Sequence, residues 1–197
     1  MDDLLLYLEL ILFAFLVNVV PALAPPTWII LAMFKNHNPE LSILAIAVLG
    51  VVGTILGRYV MYLYCRALGR HVPQKYGKNL TYVSRLLGKH KVGLFFGSLL
   101  YALSPLPSNF LFISFGVSSL EIFPVLGGFA AGRLISYTAL TYATHRVFLF
   151  LEALGLANLR LVIDVLGLVG GISVIFIDWE SMAAKFNFHP VNKNEKQ

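Results

Sequence analysis

Two proline clusters sit inside apolar runs, and they limit what this chain can fold into more than any other feature. The first, Pro21-Ala-Leu-Ala-Pro25-Pro26, follows an apolar stretch from Leu4 to Val20 that only Glu9 and Asn18 interrupt. The second, Ser104-Pro105-Leu106-Pro107-Ser108-Asn109, divides the run from Gly93 to Leu120 near its middle. Proline lacks an N–H and crowds the preceding turn, so a regular helix cannot pass through either cluster. At about 1.5 Å rise per residue, Leu4–Val20 nearly crosses a bilayer core of roughly 30 Å. The arm that resumes at Thr27 and ends at Phe34, before the polar Lys35-Asn-His-Asn-Pro39-Glu40, is too short to span. Each half of the second run is about a dozen residues, also too short. A break followed by a short apolar arm predicts a re-entrant hairpin at each cluster. At the second cluster a kinked single span is the competing reading.

Three further runs are long enough to cross a membrane, namely Leu41–Cys65, Ile122–Thr144 and Leu159–Ile177. Hydrophobic residues make up 58% of the chain and charged residues 13%. Soluble domains average roughly 45–50% apolar and about 25% charged, so these proportions call for a surface that faces lipid. The 197 residues suffice for one polytopic membrane domain over 1–177, with repeat halves at about 4–65 and 76–145 and a final span at 159–177. A polar tail, 178–197, follows. Arg66, Arg70, Lys75, Lys78, Arg85, Lys89 and Lys91 fall in one stretch without Asp or Glu, within a chain of net charge +5. Between apolar runs this reads as a cytoplasmic loop, residues 66–91, under the positive-inside bias, and not as a nucleic-acid surface. Inside that loop, Tyr76, Leu80, Val83 and Leu87 share a helical face, which suits either a helix in the headgroup region or an ordinary solvated connector. Cys65 is the lone cysteine, so no disulfide within the chain and no cysteine zinc site is expected, and the residue should act as a small apolar group at a span end. Asp2 and Asp3 argue against a cleaved secretory signal, and no lipidation motif is visible.

The halves echo each other. Each proline break is followed by a run carrying Gly-x-x-x-Gly-Arg, Gly53 to Arg58 in one and Gly128 to Arg133 in the other. Gly-x-x-x-Gly alone is frequent wherever membrane helices approach closely; an arginine after it, twice, is less ordinary. With 66–91 inside, the two halves have opposite topology. The expected fold is therefore an all-α integral membrane protein, an inverted repeat with two opposed re-entrant helical hairpins plus transmembrane helices. An arginine at mid-span costs about 2.5–3.5 kcal/mol on insertion scales and must face protein or water. Its planar fork suits a phosphate, so Arg58 and Arg133 are candidate substrate ligands. The competing reading has them snorkelling to an interface or pairing with a carboxylate. Glu9 and Asp164 are the carboxylates well inside apolar runs, as proton carriers or as such partners. His145 and Arg146 read as interfacial anchors.

At the breaks, Pro25, Pro26, Thr27, Ser104, Pro105, Pro107, Ser108 and Asn109 are candidate substrate contacts, because a bend frees backbone groups that cannot stay unpaired in hydrocarbon. Their hydroxyl and amide groups could equally satisfy the bend locally. There is no Gly-x-Ser-x-Gly, His-Glu-x-x-His, P-loop or cysteine cluster, so neither an enzyme nor a metal or cofactor site is expected.

At these residues the chain resembles the DedA family, also called the VTT or SNARE-associated Golgi family. Gly50-Val-Val-Gly53-Thr-Ile-Leu-Gly57-Arg58-Tyr59, continuing to Arg66-Ala-Leu-Gly69-Arg70, is similar to its glycine-rich helix. Leu87-Gly-Lys-His-Lys-Val-Gly-Leu-Phe-Phe-Gly97 through Ser104-Pro-Leu-Pro107 to Phe115-Gly116 resembles its second hairpin. The resemblance covers roughly residues 15–145 and implies two facing re-entrant hairpins and movement of phosphorylated lipids across the bilayer. Bacterial and archaeal members are associated with polyprenyl-phosphate recycling, and eukaryotic relatives with phospholipid scrambling. The chain departs from the family pattern at specific places. Ala24-Pro25-Pro26-Thr27 lacks the acidic neighbour, Ala102 and Ser108 stand where arginines flank the second proline, and Arg58 stands where an acid often follows the glycine. The resemblance therefore carries no coupling carboxylate to this chain.

The function expected from these readings is that of a membrane transporter or flippase for phosphorylated lipids, polyprenyl phosphate or phospholipid. A small-ion or solute exporter and a non-transporting membrane scaffold are the alternatives. The expected partners are membrane lipids with anionic phosphate headgroups, without nucleic acid; a homo-oligomer is compatible with this.

Overall fold

The computed structural model describes residues 2–20, 26–69, 91–104, 108–155 and 169, and among them every extended element is an α-helix. In chain order these are α1 (Asp2–Val19), α2 (Thr27–His37), α3 (Ile43–Gly69), α4 (Lys91–Leu103), α5 (Asn109–Val117) and α6 (Phe123–Ala153). The expected headgroup helix at 76–88, the final span at 159–177 and the tail lie outside the described residues. Both proline clusters fall between helices, as the missing N–H groups require. The arm after the first cluster is longer than Thr27–Phe34, because Lys35 and Asn36 are buried and extend it to His37. Lys35 Nζ donates to the carbonyls of Pro39, at 2.5 Å, and Leu41, at 2.7 Å, so it ties the α2–α3 turn together.

Contact registers set the direction of each helix. A Cβ on Gly53 would lie 2.7 Å from the Ala14 Cβ, and one on Gly57 would lie 2.7 Å from the Phe15 carbonyl oxygen, so α1 and α3 run the same way in near-backbone contact. Gly128 likewise admits the Phe95 carbonyl and the Ser98 side chain, and a Cβ on Gly132 would stand 2.6 Å from the Leu99 carbonyl, so α4 and α6 also run together. The long helices α3 and α6 oppose one another, since Thr54 meets Tyr137 while Tyr59, further along, meets Phe123.

The second arms cross over. Helix α5 lies along α3, with Asn109 at Arg58 and Gly116 against Tyr62 and Cys65. Helix α2 lies on α6, with Asn36 reaching His145 at 3.3 Å. Because α2 opposes α1 and α5 opposes α4, the chain turns back on itself at both proline clusters. A kinked continuous span over 93–120 is therefore not what forms. Cys65 is buried in contact range of Gly116, a small apolar filler as its sequence setting suggested.

Among the described residues, Ile43–Gly69 is the helix both long and apolar enough to cross a membrane. Only 39% of its apolar stretch is buried inside the protein, although a soluble core helix would be mostly covered. Leu4–Val19 and Lys91–Leu103 are shorter apolar helices. Helix α6 has the length, but Arg133, Ser136, Tyr137, Thr138, Thr141 and Tyr142 dilute its apolar character.

Helix α5 ends in a Schellman arrangement, with Leu120 N–H donating to the Phe115 carbonyl at 3.1 Å and Ser119 N–H to that of Gly116 at 2.9 Å. Ser119 holds the left-handed position at φ 54° that glycine normally fills, and its side chain is exposed. A left-handed conformation costs an L residue about 1–2 kcal/mol. Ser119→Gly is therefore expected to stabilise the chain by roughly 0.5–1 kcal/mol, read as a higher unfolding midpoint in detergent.

Candidate functional site

The register that packs α3 and α6 also brings their arginines toward each other. Each arginine follows the second glycine of its motif, which places it one position beyond the close approach. Arg58 is 7% exposed, so it does not snorkel to an interface. Its Nη2 donates to Ser108 Oγ at 3.0 Å and its Nη1 to Asn109 Oδ1, both at the start of α5. The guanidinium also lies 5.9 Å from the Phe112 ring centroid. Phe112 meets Phe129 edge to face at 4.9 Å, and Arg133 lies 4.9 Å from the centroid of Phe129. Arg58, Phe112, Phe129 and Arg133 are thus joined by successive ring contacts between α3, α5 and α6. Arg133 also lies 5.7 Å from the Tyr137 centroid.

The arginines are close enough for their charges to interact, with Tyr64, Tyr101 and Tyr137 in the same neighbourhood. Among the described residues no carboxylate joins them. Glu9, Glu40, Glu121 and Glu152 are all exposed, and the ion pair found among the described residues, Lys91 to Glu121 at 2.9 Å, is remote from this site. Glu9 points away from the arginines on the open face of α1; Asp164 lies outside the described residues. Two like charges held together without a counter-charge favour an anion between them.

The other candidates separate clearly. Ser108 and Asn109 belong to the arginine site. Ser104 Oγ donates back to the Tyr101 carbonyl at 2.7 Å, closing the end of α4. Pro26 precedes α2, and its carbonyl accepts the Ile29 N–H at 3.0 Å. Thr27 accepts from Asn18 Nδ2 at 2.8 Å. Pro25, Pro105 and Pro107 lie outside the described residues. His145 sits beside Asn36, twelve positions beyond Arg133 on α6.

Sequence reasoning missed a buried polar chain beside the site. Asn18 Nδ2 reaches Ala14 O at 2.7 Å and Thr54 Oγ1 at 3.3 Å as well as Thr27, and Thr54 bonds the Tyr137 hydroxyl at 3.1 Å. Asn18, Thr27, Thr54 and Tyr137 are all buried. The first hairpin is thereby linked to the ring that flanks Arg133, as the second hairpin is linked directly to Arg58. The signal was present in Asn18 as a polar break in an apolar run, though nothing local names its partners.

An open groove of about 870 Å³ lies elsewhere, between the α2–α3 turn and α6, lined by Lys35, Leu41, Leu44, Ile135 and Tyr142 among others. It touches neither arginine, and the paired guanidiniums identify the chemical site better than its volume does. No family model, curated protein or solved structure matches the chain.

Proposed function

We propose that this chain is a multi-pass membrane protein that moves phosphorylated lipids, a polyprenyl phosphate or a phospholipid, across the bilayer. The observation that carries the reading is the pair of arginines, with no described carboxylate beside them, one held by the start of α5 and the other flanked by the ring that Thr54 joins to Asn18. Helix α3 has 27 residues, about 40 Å at ~1.5 Å per residue, and Arg58 stands about 22 Å from its start, so a helix centred on the bilayer would carry it near the midplane. A lipid phosphate would pass between the reversals and exchange contacts with the guanidiniums, while its tail stays in hydrocarbon.

Two further features support it. Large apolar side chains face outward along α1 and α3, including Leu5, Leu8, Leu12 and Leu16 on one and Val48, Val52, Leu56 and Val60 on the other. Surfaces of that kind suit lipid and are a liability in water. Second, the glycine contacts recur in the same register in both halves. Gly53 and Gly57 against α1 are matched by Gly128 and Gly132 against α4, with the halves running in opposite directions. This register supports reading the fold as an inverted repeat of two re-entrant hairpins, the arrangement that transporters use to build a site near the midplane.

The test is reconstitution of the full chain into liposomes carrying a labelled polyprenyl phosphate or a labelled anionic phospholipid. Protein-dependent movement between leaflets is expected for at least one of them. Movement no faster than in empty vesicles for both removes the reading.

A further inference from the structure

We infer that the two arginines divide the work: Arg133 receives the phosphate, and Arg58 acts as a latch that holds the second reversal until the anion competes for it. The inference rests on the anion site proposed above and specifies how that site is loaded.

The two guanidiniums are engaged in different ways. Arg58 spends donors at both terminal nitrogens on neutral acceptors of the second hairpin, Ser108 and Asn109. Both Nε atoms are buried without a partner, so the difference lies at the terminal nitrogens: those of Arg133 make no hydrogen bond or ion pair among the described residues. What holds Arg133 is ring contact, with Phe129 at 4.9 Å and Tyr137 at 5.7 Å. Contact between a guanidinium and aromatic rings leaves the N–H donors in its plane uncommitted, and that planar edge matches a phosphate bidentately. Tyr137 is in turn fixed through Thr54 to Asn18, which holds the flanking ring in place. Arg133 is thus positioned yet unspent, whereas the terminal nitrogens of Arg58 are already occupied.

An amide and a hydroxyl are weaker partners for a guanidinium than a phosphate is. A phosphate on Arg133, which Phe129 and Phe112 join to Arg58, would compete with Ser108 and Asn109 for that second guanidinium. Release of those bonds frees the start of α5, so loading the site loosens the second hairpin. Arg58 is in this sense a positioning residue.

Binding to the purified full chain in detergent tests this by calorimetry, in two arms: inorganic phosphate, and short-chain dihexanoyl phosphatidic acid. Binding in both arms identifies the phosphate group itself as the ligand; binding of the lipid alone shows that the tail is also needed. Arg133→Gln is expected to weaken binding at least about tenfold. The Ser108→Ala/Asn109→Ala pair, which unlatches Arg58, is expected to tighten it by about threefold or more. A merely structural role would weaken binding in both, so the opposite signs are the diagnostic. Asn109→Asp keeps the size of the side chain but gives Arg58 a carboxylate, and is expected to weaken binding with Arg133 intact. It decides the question if the double variant does not fold. No binding by the parent chain in either arm, unchanged binding in Arg133→Gln, weakening in the double variant, or no change in Asn109→Asp would each overturn the latch. The transport reading fails separately: a chain that binds as expected but moves no lipid in vesicles loses that reading and keeps this one.

Discussion

Leucine at Gly128 is expected to destabilise the chain by at least about 3 kcal/mol, while leucine at Gly97 is expected to be neutral or mildly stabilising. The two glycines lie on facing helices, and their surroundings differ completely. A Cβ at Gly128 would run into the carbonyl of Phe95 and the hydroxyl of Ser98. The first is main chain of α4 and cannot rotate aside, so the pair of helices must separate and lose contact along its length. A Cβ at Gly97 meets nothing within 4 Å, and the residue is exposed on α4. There the substitution only removes a poor helix former, worth about 1 kcal/mol relative to alanine. Helicity followed by circular dichroism during thermal unfolding in detergent provides the comparison. If Gly128→Leu melts with the parent chain, the close α4–α6 approach described above is wrong.

Asn18→Leu should cost about 2–3 kcal/mol, more than its single amide suggests. The amide nitrogen has two hydrogens for three acceptors, so Ala14 O and Thr27 Oγ1 take the strong bonds and Thr54, at 3.3 Å, a shared one. Leucine leaves the Thr27 hydroxyl buried without this donor, and that desolvation cost dominates the loss. Adding Thr27→Val removes the stranded group and should recover about 1 kcal/mol, a sub-additive pair in a double-mutant cycle. Strict additivity would mean that the two side chains do not share the bond assigned to them.

Much of the helix plan was legible from composition and proline alone. The breaks at 21–26 and 104–109 fall where they do because proline physics is local, and the ends of α3 differ from the apolar run Leu41–Cys65 by only a few residues. The paired Gly-x-x-x-Gly-Arg motifs mark the close approaches at Gly53, Gly57, Gly128 and Gly132 and the arginines beside them. What the sequence could not supply was partnership. Nothing near Arg58 in the chain marks Ser108 and Asn109 as its acceptors, because the crossing of α5 onto α3 is a tertiary choice. The same holds for Asn18 and Tyr137, joined through Thr54 across distant segments. Lys35 was misplaced for a related reason. A lysine beside asparagines and a proline reads as solvated loop, yet here its ammonium is enclosed by carbonyls of the turn that follows.

The exchange of arms between halves has a consequence for biogenesis. Helix α2 finds its long neighbour in α6, which leaves the ribosome about a hundred residues later, or roughly 5–20 seconds at ~5–20 residues per second. Until then the first reversal rests only on its smaller contacts with α1 and α3, such as Thr27 with Asn18 and Leu31 with Gly50, and the arrival of the second half completes its packing. Neither half is a self-sufficient folding unit. Truncation after residue 69 should therefore yield a product that quality-control proteases remove, and co-expressing the missing portion as a separate chain should rescue it.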